Sequence, residues 1–84
     1  MLEGRRILTE IVPMACLEVV YTGSIDDLAD KAIQKAAKRE ALSMSYDLRT
    51  RVRDLQFHYP TDVEARHAAE RVRRIAFELK TYIR

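Results

Sequence analysis

His58, Asp62, Glu64 and His67 are the densest group of side chains in this chain that could ligate a transition metal. A helical metal pair needs its ligands three or four residues apart on one face, and Pro60 separates His58 from the other three. This spacing argues against a metal centre, so the histidines read as solvated or capping groups. Cys16 is the one thiol, set in the most apolar part of the chain with no neighbouring base to favour its thiolate, and it reads as a small buried apolar residue. The glycines are Gly4 and Gly23, too few and too far apart for a phosphate-cradling loop. Asp26, Asp27 and Asp30 resemble a cation cluster, but their position just after Ser24 reads as the acidic first turn of a helix that Ser24 caps. No catalytic residue and no cofactor follow from these patterns.

Ionic chemistry is the stronger signal. Eleven of the fifteen basic residues are arginines, the side chain best suited to forked phosphate contacts. Arg49, Arg51 and Arg53 precede the Pro60 turn, while Arg66, Arg73 and Arg74 follow it, and these six are the candidate nucleic-acid contacts. The net charge of +2 is unevenly spread: residues 1–30 sum to −4 and the remainder to +6. Several arginines have an acidic neighbour one helical turn away, which favours a solvated, ion-paired surface over a phosphate-binding stripe. The apolar stretch from Ile7 to Tyr21 is broken by Glu10, Pro13 and Glu18 and is too short to span a bilayer, so neither a membrane segment nor a secretory leader is expected. A single cysteine excludes an internal disulfide and fits a reducing, cytoplasmic setting.

At 84 residues the chain makes one domain, residues 1–84, with a core of marginal size that association commonly supplements. The residues from Ser24 to Pro60 include neither glycine nor proline between those two, and Ala29, Ile33, Ala37, Ala41, Met44, Leu48, Val52 and Leu55 advance by steps of four and three. That spacing predicts one long helix over about 24–57. Pro60 ends it, Thr61 or Asp62 caps the next, and Ala65, Ala68, Val72, Ile75, Ala76, Leu79, Tyr82 and Ile83 form the stripe of a second helix over about 61–84. The predicted fold is all-α, an antiparallel helical hairpin. Residues 5–22 lie across it either as a helix kinked at Pro13 or, since Leu17, Val19 and Tyr21 alternate, as an extended segment that pairs with its copy.

Leu42, Tyr46 and Phe57 project away from the long helix's seam, and Phe77 projects away from the stripe of the second helix. A helix that is apolar on two sides needs two partners, so these four residues are the expected interface. The function that follows is a non-enzymatic protein-interaction domain acting as a homodimer or higher oligomer. The alternative is a small nucleic-acid-binding regulator that sets the hairpin arginines on phosphates, with binding that weakens steeply with salt.

Overall fold

Leu17, Val19 and Tyr21 alternate with Glu18, Val20 and Thr22, and Leu55, Phe57 and Tyr59 alternate with Asp54, Gln56 and His58; this period of two governs the architecture. The computed structural model describes residues 14–76 and 78–84. Its elements run β1 (Ala15–Thr22), α1 (Asp27–Ala37), β2 (Ser43–Asp47), β3 (Val52–Tyr59), α2 (Asp62–Arg73) and β4 (Lys80–Ile83). The four strands form one antiparallel sheet in the order β2-β3-β1-β4, the split βαβ arrangement of ferredoxin-like sheets. The chain is therefore α+β, and the all-α hairpin is corrected: the long helix stops at Ala37, and the second stops at Arg73 and is followed by a strand. The extended reading of the segment before Gly23 is correct for Ala15–Thr22, which pairs with β3 and β4 of its own chain rather than with a copy. Residues 5–13 of that segment lie outside the described residues.

The long-helix prediction fails at two turns that use no glycine. Lys38 (φ 63°) ends α1 in the left-handed region, where its N–H donates to the Gln34 and Lys35 carbonyls. Arg51 (φ 61°) closes the β2–β3 hairpin. Glycine is the usual occupant of such positions, because a Cβ there costs on the order of 1–2 kcal/mol. The hairpin is built instead from Asp47, whose Oδ1 accepts from the Arg49 N–H (2.8 Å) and the Thr50 N–H (3.3 Å). At the start of α1 the cap is Asp26 rather than Ser24: its Oδ1 accepts from the Leu28 and Ala29 N–H groups at 3.0 and 3.1 Å. Thr61 caps α2 as expected, its hydroxyl accepting from the Glu64 N–H at 3.2 Å.

Both helices cover one face of the sheet. The core joins Ala15, Leu17, Val19 and Tyr21 of β1 to Leu55, Phe57 and Tyr59 of β3, with Ile33 and Ala37 of α1 and Ala65, Ala68, Ala69 and Val72 of α2 above them. Alanines dominate the helical side, which lets α2 lie close to the strands. The C-terminal carbonyls of α1 are satisfied from outside the helix: Arg71 Nε donates to Ala36 O (2.6 Å), and the Tyr59 hydroxyl donates to Ala37 O (2.8 Å). Arg39 stacks over the Tyr59 ring, 4.2 Å from its centroid, and donates to the His58 carbonyl. Burial pushes the Tyr59 hydroxyl above its ordinary pKa.

One ionic contact sits inside this core. Asp30 is the buried charged residue of α1, at 6% exposure, and its carboxylate accepts from Arg53 Nη2 of β3 (2.7 Å) and from the Tyr21 hydroxyl of β1 (2.8 Å). The Asp26 N–H donates to the same hydroxyl at 3.1 Å. Hydrogen bonding to Asp30 raises the Arg53 pKa, and burial raises that of Tyr21. Removing one partner strands the other charge out of water, whereas replacing both by apolar groups does not. Asp30→Ala is therefore expected to cost about 3 kcal/mol in urea denaturation, and the double variant Asp30→Leu with Arg53→Met much less. Equal losses in the two would show that the charges contribute no desolvation penalty.

Candidate functional site

The strand register sets out the sheet's other face as a grid. Arg84, Cys16 and His58 form one row; Tyr82, Glu18, Gln56 and Ser43 the next; then Lys80, Val20, Asp54 and Ser45; and finally Thr22, Val52 and Asp47. No helix covers these side chains among the described residues, a condition an antiparallel sheet tolerates. Cys16 exchanges both backbone hydrogen bonds with Arg84 (3.0 and 2.9 Å), so it faces His58 as a non-bonded pair with closely spaced side chains. The thiol is half-buried on this open face, not enclosed in the core as its apolar neighbours suggested. His67 lies on the exposed side of α2, in a shallow groove with Val63, Arg66 and Glu70, so it does not meet His58.

At the centre of the grid Glu18 and Asp54 are diagonal neighbours. Asp54 Oδ1 is buried and has no hydrogen-bond partner among the described residues. Hydrogen bonding to Asp54, then burial, then the repulsion of the Asp54 charge hold the Glu18 pKa above its ordinary value of 4.5. Arg84 opposes this weakly: its Nη2 lies 3.2 Å from Glu18 Oε1, but its side chain is 58% exposed. Two carboxyls at the middle of the sheet disfavour a polyanion there, while Lys80 and Arg84 lie along its β4 side. Beside them, a cleft of about 410 Å³ is lined by Val20, Val52, Lys80 and Tyr82 among others.

The arginines divide. Arg49 and Arg51 lie in the β2–β3 turn, and Arg73 and Arg74 end α2 at the same end of the sheet, where Thr22 pairs with Val52 and Val20 with Lys80. Asp26, Asp27, Asp47 and Glu78 share that end. Arg51 donates to Ser24 Oγ (3.1 Å) and Arg73 to Thr81 Oγ1 (2.7 Å). Arg66 belongs to the start of α2 at the opposite end, and Arg53 is held by Asp30. The six candidates do not form one surface.

The predicted interface separates in a similar way. Phe57 is fully buried in the core, and Phe77 lies outside the described residues. Leu42 and Tyr46 remain together, at and just before β2, the strand at the sheet's edge. Tyr46 is half-buried with its hydroxyl donating to Gly23 O at 2.6 Å. Around it Leu42 is 66% exposed, Met44 48% and Leu48 84%. Met44 and Leu48 were missed because a step of four fits both helix and strand; the sequence Leu42-Ser43-Met44-Ser45-Tyr46-Asp47-Leu48 also alternates, and that was the signal for an edge strand.

No family model, no curated protein and no solved structure matches this chain. Among the described residues, no helix is long and apolar enough to cross a membrane.

Because the folded protein holds the Glu18 proton more tightly than the unfolded chain does, this group adds stability as pH falls through its raised range. The gain is complete once pH is below the ordinary carboxyl range near 4.5. Glu18→Gln is expected to raise the melting temperature at pH 7 and to converge with the parent protein as pH approaches 4 in a calorimetric series. A melting temperature lowered at pH 7 would mean that the Arg84 contact outweighs the carboxyl repulsion.

Proposed function

We propose that this chain is a non-enzymatic protein-interaction domain that works as a homo-oligomer. The observation that supports it is the edge strand β2: three large apolar side chains, Leu42, Met44 and Leu48, stand exposed on one seven-residue run beside an edge that no other strand pairs among the described residues. Exposed edges of this kind add a further strand, with backbone hydrogen bonds supplying affinity and alternate side chains supplying selectivity. The opposite edge is poorer for this purpose. β4 has four residues, includes Lys80, and is followed by Arg84, and cations on a short edge discourage pairing. The side chains of catalytic type that are most deeply enclosed, Asp30, Arg53 and Tyr21, are engaged in holding α1 to the sheet. A lone cysteine fits a reducing, cytoplasmic setting for this activity.

The nucleic-acid alternative draws on the four arginines at one end of the sheet, against the four carboxylates that accompany them. It requires retention on duplex DNA that falls steeply with salt.

Light scattering on the purified protein at low micromolar concentration is expected to give a multiple of the chain mass. Leu42→Asp with Leu48→Asp, at two positions that contribute little to the core, is expected to weaken assembly at least tenfold with unchanged circular dichroism. A parent protein that is monomeric under these conditions retires the proposal, and binding of duplex DNA by that monomer would establish the alternative.

A further inference from the structure

The ladder pattern of the sheet determines which backbone groups β2 offers. Cys16 spends both its backbone groups on Arg84, so the even residues of β1 face β4 and the odd residues face β3. Continuing the alternation through Leu55 and Asp54 turns Ser43, Ser45 and Asp47 inward to Gln56, Asp54 and Val52. The N–H and C=O groups of Met44 and Tyr46 then point outward, without a partner among the described residues. The side chains follow a different division: Met44 and Tyr46 lie on the helix-covered face, opposite Leu55 and Arg53, while Ser43, Ser45 and Asp47 lie on the open face.

Resting on the homo-oligomer reading, we infer that the occupant of this edge is a second copy of β2, antiparallel, with the two-fold axis passing through Ser45. In this register Met44 of one chain opposes Tyr46 of the other, so the outward backbone groups meet as hydrogen-bonded pairs, one on each side of the axis. Leu42 and the partner's Leu48, which flank β2, come level across the axis; the Leu42 N–H donates to Gln56 O (2.7 Å), so Leu42 shares Gln56 with Ser43 and stands outside the alternation of the strand. On the open face Ser43 meets the partner's Asp47 and Ser45 meets its own copy, so no like charges are opposed and small side chains occupy the axis. Shifting the axis by one residue to Met44 or Tyr46 leaves one leucine of each chain without an apolar partner and shortens the paired segment. The register through Ser45 is thus the one that uses the full strand. The product is a continuous eight-stranded sheet with four helices on one side.

Non-bonded pairs in an antiparallel ladder have Cα atoms about 4.5 Å apart, within reach of a disulfide. In a Cys16→Ser background, Ser45→Cys is therefore expected to form a covalent dimer under mild oxidation, at least tenfold faster than Ser43→Cys or Asp47→Cys alone, since two copies of either of those lie roughly 13 Å apart along the strands. Mixing the Ser43→Cys and Asp47→Cys chains is expected to restore cross-linking between them. Ser45 is exposed, so Ser45→Lys is expected to keep the fold by circular dichroism and to weaken assembly at least tenfold by placing two cations on the axis. If light scattering gives an oligomer but Ser45→Cys does not cross-link preferentially, the register is wrong while the homo-oligomer reading stands. A monomeric parent protein removes both.

Discussion

The seating of α1 on the two central strands turns on a charge held away from water. Asp30 on α1 reaches Arg53 at the start of β3 and Tyr21 at the end of β1, so one carboxylate ties a helix to the two central strands. A buried ion pair of this kind contributes little net stability, because the desolvation of both charges offsets most of their attraction. Its effect is on which arrangement is allowed. With Arg53 required on the helix-covered face, Leu55, Phe57 and Tyr59 follow it there at intervals of two, and a slip of one residue would strand the arginine and expose the core together. Tyr46 and Met44 inherit the same constraint by pairing with Arg53 and Leu55.

The sheet then acquires two unlike faces. One is apolar and closed by alanine-rich helices; the other carries Glu18 and Asp54 side by side, with cationic residues confined to β4 and its end. Asp54 and burial hold the Glu18 carboxyl above its ordinary pKa, the consequence of setting two carboxyls side by side at the middle of a sheet. That face carries the carboxyls, while the exposed apolar side chains Leu42, Met44 and Leu48 lie at and beside the β2 edge.

Parts of this arrangement were legible in the residues. The alternation of Leu17, Val19 and Tyr21, the Thr61 cap, the seam of α1 up to Ala37 and the Ala65, Ala68, Val72 stripe of α2 each follow from spacing alone. The break after Ala37 was not, since left-handed turns at Lys38 and Arg51 lack the glycine that usually announces them. A stripe with steps of four and three passes through strand positions as well as helical ones, which joined α1 to β2 and β3 and moved Phe57 from the core to a surface. The partnership of Glu18 with Asp54, and of Asp30 with Arg53, has no local trace, because only the sheet order brings those residues together.

The two edges of the sheet differ in character, and the difference bears on how far assembly can proceed. A strand that joins its own copy through a two-fold axis uses up the adhesive edge of both chains, and the margins then left are the two β4 strands, short and bearing Lys80. Growth by further strand addition would have to use this four-residue, cation-bearing edge. The geometry therefore favours a closed pair over an open-ended fibre, and it does so through the unequal lengths and charges of two strands rather than through any dedicated stop signal.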